Sequence, residues 1–233
     1  MTSRPGASAV YAARAIRDFG DGFVAILLPV YLTALGLSAL DVGVVATLAL
    51  LGSALLTLAI GFLGARHDHR HLLLAASALM AGTGIAYAAS SDYWVLLLVA
   101  FVGTINPSGG STSIFVPLEH AVLTGAVGPQ RRTAAFARYS LLGALAGALG
   151  SLLAAAPEWL EELGTARLDA LRAMFLLYAA LGILGGLVYR RIGMPARTVA
   201  ARPTAALGPS RGIVYRLAAL FSIDAFAGGF VVQ

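Results

Sequence analysis

Polar and apolar positions along this chain separate into long blocks. Stretches free of Asp, Glu, Lys, Arg and His cover Gly22–Leu40, Val42–Ala65, Leu72–Ser91, Tyr93–Leu118, Tyr139–Pro157 and Ala173–Tyr189. At about 1.5 Å of rise per residue, the first five are long enough to cross roughly 30 Å of hydrocarbon as helix. The sixth is 17 residues by this strict count and lengthens to Ala170–Arg190 if Arg172 and Arg190 snorkel. A seventh run opens at Leu217 and is still apolar at Gln233, as in a chain cut inside its seventh span. None of these runs shows the two-residue alternation of a barrel strand, so each is predicted to be a helix. Gly143 with Gly147, and Gly182 with Gly186, stand at the spacing that lets helices approach closely.

Composition agrees with the block pattern. Apolar residues make up 59% of the chain, charged residues 12%, and the mean hydropathy is +0.84. A soluble domain carries about 25% charged residues to hydrate its surface, so most of this surface must face lipid. There are no cysteines, which removes disulfides, thiolate metal sites and cysteine nucleophiles. No cleavable signal peptide is apparent, because the first apolar run is long and lacks a small-residue cleavage site behind it.

Charge then orients the runs. Arginines cluster in alternate connections: Arg4, Arg14 and Arg17; Arg66 and Arg70; Arg131, Arg132 and Arg138; and the stretch from Arg190 to Arg216. The intervening connections hold Asp41, Asp92, and then Glu158, Glu161, Glu162 and Asp169. By the positive-inside rule the N-terminus and the long basic segment are cytoplasmic, in a plasma-type membrane. The same distribution accounts for a pI near 10, leaving no basic patch that would call for a nucleic-acid partner. Residues 191–216 include Pro195, Pro203 and Pro209 and form a cytoplasmic linker. It separates a six-helix domain over 1–190 from the start of a further span over 217–233.

Two local features carry a family resemblance. The connection from Gly61 to His71 resembles the signature GxLxDRxGRR found between spans 2 and 3 of the major facilitator superfamily, with Gly61, Leu63, Arg66 and Arg70 matching. Ala65 stands where that family has its aspartate, and Asp68 where it has glycine. Phe19-Gly20-Asp21-Gly22-Phe23-Val24 is also echoed at four of six positions by Phe226-Ala227-Gly228-Gly229-Phe230-Val231, at points that would correspond in the two halves of such a transporter. The resemblance implies an all-α integral membrane fold: six transmembrane helices plus part of a seventh, the six being two inverted three-helix repeats. It further implies secondary transport of a small solute by alternating access, completed by a missing C-terminal half, with Gly61, Arg66, Asp68 and Arg70 as gating-motif candidates.

Ionisable groups inside a span are expensive and point to function. Asp21 on span 1, with Arg17 one turn earlier, reads either as an interfacial ion pair or as an acceptor for a coupling proton or cationic substrate. Asp224 sits deeper than an interface requires, and the resemblance places both aspartates on helices that line the central cavity. Arg14 and Asp18 are expected to be a snorkelling interfacial pair. Asn106, Ser108 and their neighbours around Pro107 read either as a loosened, cavity-lining stretch of span 4 or as a helix that ends early. Glu119 and His120 are expected at the interface. His67, His69 and His71 near Asp68 are read as solvated, so no metal and no cofactor are expected. No nucleophile elbow, phosphate loop or carboxylate pair supports an enzyme. Two other readings stay open: a membrane-embedded enzyme or lipid-handling protein, and a non-functional truncated transporter fragment.

Overall fold

A computed structural model describes residues 5–64, 67–106, 113–191 and 211–229. The described residues are helical throughout, with short connections and no strand among them. They divide into two units, Met1–Gly193 and Met194–Gln233. The first contains α1 (Pro5–Ala34), α2 (Ala39–Gly64), α3 (His69–Ala89), α4 (Tyr93–Val102), α5 (Phe115–Ala126), α6 (Arg132–Leu153), α7 (Ala156–Glu162) and α8 (Arg167–Arg190). The second contains α9 (Arg211–Gly229).

Several helix starts are written in the acidic residues of the connections. Asp41 accepts from the backbone N–H and the hydroxyl of Ser38 (3.0 and 2.6 Å), while the Ser38 hydroxyl accepts from the Asp41 N–H. This reciprocal cap opens α2. Asp68 caps α3 through the Arg70 N–H, and Asp92 caps α4 through the N–H groups of Trp94 and Val95. Each satisfies backbone donors that have no carbonyl partner in the first turn.

By length and composition, α2, α3, α8 and the run Pro129–Glu162 that contains α6 could each cross a membrane. Helix α1 is 30 residues long, but Arg14, Arg17, Asp18 and Asp21 interrupt its apolar character. The apolar run Tyr93–Leu118 was expected to be one helix and is not: α4 stops at Val102 after ten residues. The cause is local. The Thr83 hydroxyl of α3 accepts the Thr104 N–H (3.3 Å), a donor that a continuing helix would turn back on itself, and Gly103 closes against the Val99 carbonyl and Thr83. Residues 107–112, including Pro107 and Ser108, lie outside the described residues. α4 thus ends before Asn106.

Within the first unit α1 lies against α6 and α8, α3 against α8, and α2 against α4. Lipid removes the hydrophobic drive between helices, so contact depends on close packing and on hydrogen bonds. Both are present. The Tyr31 hydroxyl of α1 donates to the Tyr87 and Ser90 carbonyls at the end of α3 (2.7 and 3.0 Å), and the rings of Tyr31 and Tyr87 both pack on Phe175 of α8. Gly182 and Gly186 face Met80, Ala81 and Ser77 of α3, the packing role expected of that pair. On α6, Leu141, Leu145, Leu149 and Leu152 form an exposed apolar stripe, the kind of surface a lipid-facing helix presents.

Candidate functional site

The charged residues of α1 face the inside of the first unit. Arg14, Arg17, Asp18 and Asp21 fall three or four residues apart and so share one side of the helix. Arg14 Nε meets Asp18 Oδ2 at 2.6 Å; Arg17 Nη1 lies 3.3 Å from Asp18 Oδ1 and 3.6 Å from Asp21 Oδ2. The expectation that Arg14 and Asp18 form a snorkelling surface pair is corrected: both are buried, and Gly143 of α6 leaves room for them, since a side chain there would strike both. Two aromatic faces complete the setting, with the Arg14 guanidinium over Tyr139 and that of Arg17 over Phe115.

The centre of the cluster is Glu119 of α5, which is 0% exposed. Its Oε2 accepts from Arg17 Nη2 (3.0 Å) and from the Tyr139 hydroxyl of α6, and its Oε1 accepts from the Tyr189 hydroxyl of α8 (2.5 Å for each tyrosine). One carboxylate therefore ties α5 to α1, α6 and α8. Arg14 Nη1 also donates to the Tyr139 hydroxyl at 3.1 Å, which joins the Arg14–Asp18 pair to the same network. At the other end, Tyr178 of α8 donates to Asp21 Oδ1 (3.1 Å) and lies 3.1 Å from the Thr104 hydroxyl, just beyond the end of α4. Two guanidinium groups thus face three carboxyl groups. With all of them ionised the cluster carries one negative charge too many, which a single proton would cancel.

The structure brings two of the expected site residues together, Arg17 and Asp21. Asn106 is buried elsewhere and donates to the Ser53 hydroxyl of α2 (3.3 Å). Ser108 and Arg66 lie outside the described residues. Asp224 is on α9, in the second unit. Gly61 is on the exposed last turns of α2. Asp68 is engaged as the α3 cap, and Arg70 reaches across to donate to the Arg190 carbonyl at the end of α8 (2.7 Å). That bond is exposed, so Arg70→Ala is expected to cost only about 0.5–1.5 kcal/mol. Hydrogen–deuterium exchange should accelerate in the last turn of α8 while the melting temperature barely moves.

Glu119 was expected at the interface, and its burial overturns that reading. The signal was present in the sequence. Apolar residues resume after His120 with Ala121-Val122-Leu123, so Glu119 interrupts an apolar helix and does not end one. Tyr139, Tyr178 and Tyr189 were missed because a tyrosine in a span is unremarkable until its hydroxyl is seen to meet a carboxylate.

The family model of the Major Facilitator Superfamily matches residues 10–232. A Saccharomyces cerevisiae protein with the name "Uncharacterized membrane protein YJR124C" is 24% identical over 173 residues, which make up 73% of this chain and 39% of that protein. The chain thus matches well under half the length of this curated relative.

Proposed function

The chain belongs to the Major Facilitator Superfamily, and from that premise we propose that it is the N-terminal half of a secondary transporter that moves a small solute by alternating access. In this reading α1, α2, α3, the interrupted α4–α5, α6 and α8 are six spans in a cell membrane, with the N-terminus cytoplasmic. A second half, related to the first, completes the solute path and begins with α9.

The helix pairings support the inverted repeat. Span 1 packs on span 5, span 2 on span 4, and span 3 on span 6. Exchanging spans 1, 2 and 3 with 4, 5 and 6 turns the first pairing into the second and leaves the third unchanged, as two inverted three-helix units require.

The observation that carries the mechanism is the surplus carboxylate. Glu119 and Asp18 each hold a guanidinium at hydrogen-bond range, whereas Asp21 has Arg17 only at 3.6 Å. Asp21 is accordingly the group that takes up a coupling proton, and efflux is the direction we assign. The test uses everted membrane vesicles from cells expressing the whole gene product, energised to an acid interior and monitored with a pH-sensitive acridine dye. Lipophilic cations, sugars and amino acids are added in turn. At least one class should dissipate the proton gradient in the wild type, and Asp21→Asn should reduce that flux to the level of control vesicles. Undiminished flux in Asp21→Asn removes Asp21 from the coupling path. No proton flux with any class removes proton coupling.

A further inference from the structure

Arg17 is shared by three carboxylates, and Glu119 decides how it is shared. Resting on the proton-coupled reading above, we propose that Glu119 is a positioning residue that holds the Arg17 guanidinium away from Asp21, so that Asp21 stays open to a proton. Arg17 Nη2 makes its hydrogen bond to Glu119 at 3.0 Å, while Nη1 stands 3.6 Å from Asp21, beyond hydrogen-bond range. Phe115, one turn before Glu119 on α5, lies under the same guanidinium with its ring centre 4.9 Å from Cζ. A single helix therefore grips Arg17 by a carboxylate and by a ring face. Tyr139 and Tyr189 fix the Glu119 carboxylate in turn.

The remaining groups decide where Arg17 would go without that grip. Asp18 already has Arg14 Nε at 2.6 Å and Arg17 Nη1 at 3.3 Å. The only hydrogen-bond donor to Asp21 among the described residues is the neutral Tyr178 hydroxyl, with Thr104 behind it. His120, next to Glu119, packs on the rings of Phe136 and Tyr139. Loss of the Glu119 charge thus leaves Asp21 as the carboxylate with most to gain from Arg17. A close guanidinium would then hold Asp21 ionised and unable to exchange its proton.

Dicyclohexylcarbodiimide reacts with protonated carboxyl groups in apolar settings, and its adducts can be mapped by mass spectrometry without any transported solute. In membranes containing the full-length protein, Asp21 should be labelled in the wild type. Glu119→Gln should slow that labelling by about 10- to 1,000-fold, the range expected from a guanidinium brought alongside a carboxyl. In Arg17→Gln/Glu119→Gln, which removes a buried cation and anion together, labelling should return to the wild-type rate or exceed it. Equal labelling in the wild type and Glu119→Gln would overturn the positioning role, as would slow labelling in the double variant, since the effect would then not run through Arg17. Absence of Asp21 labelling in the wild type, or labelling of Glu119 in its place, would instead remove Asp21 as the proton acceptor and with it the reading on which this inference rests.

Discussion

Glu119→Ala is expected to destabilise the protein by about 3–5 kcal/mol, the range for breaking a buried ion pair by removing one partner. Three donors converge on this side chain from three different helices: Arg17 Nη2, the Tyr139 hydroxyl and the Tyr189 hydroxyl. None has water to turn to, because Glu119 is fully enclosed and Arg17 is 3% exposed. Alanine also leaves a void where α5 meets α1, α6 and α8. Glutamine keeps the shape and one carbonyl acceptor, so Glu119→Gln should lose less, about 1–3 kcal/mol. Fluorescence-detected gel filtration after a heating series in detergent separates the two. The alanine variant should leave the monodisperse peak at a much lower temperature than glutamine. Equal melting of the alanine variant and the wild type would mean that the network does not hold these helices together.

The same residue shows where sequence reasoning reached its limit. Apolar runs located α2, α3, α6 and α8, because a lipid-facing helix must be apolar over most of its length whatever its neighbours are. Charge spacing on α1 put Arg17 and Asp21 one turn apart, and the ion-pair contact between them follows directly. What linear reading lacks is the third dimension of burial. Arg14 and Asp18 look interfacial when α1 is considered alone, since an isolated charge in lipid would be driven to the surface, and for Glu119 only the apolar residues after His120 point the other way. Arg14 and Glu119 are buried against complementary groups on other helices and Asp18 against the two arginines of its own, and the Arg14–Tyr139 partnership spans 125 positions of sequence. The end of α4 was half legible. Glycine, asparagine and proline announced a break, but the Thr83 hydroxyl that captures the Thr104 N–H comes from another helix and left no local mark.

Close packing of α1 on α6 should be as sensitive as the charge network, for a steric reason. A Cβ at Gly22 would run into the Gly147 carbonyl, and one at Gly150 would run into the Phe19 carbonyl. Each glycine thus sits under a backbone carbonyl of the opposite helix, and no side chain is available to swing aside. Gly150→Ala is expected to cost about 1–3 kcal/mol as the helices are forced apart. Gly22→Ala should cost a similar amount. The double variant should cost less than the sum, since a contact already opened by one methyl more easily accepts the second. Gly147→Ala is the control: the nearest atom to its Cβ would be the Asp18 carbonyl oxygen at 3.6 Å, an ordinary contact. There the better helix propensity of alanine should leave stability unchanged or raise it by up to about 1 kcal/mol. Because Arg14, Arg17, Asp18 and Asp21 occupy the same stretch of α1, separation from α6 should also break the Arg14–Tyr139 bond, and Asp21→Asn-sensitive proton flux should fall with stability in Gly150→Ala but not in Gly147→Ala. Equal melting of the Gly150 and Gly147 variants would mean that α1 and α6 do not approach to backbone contact.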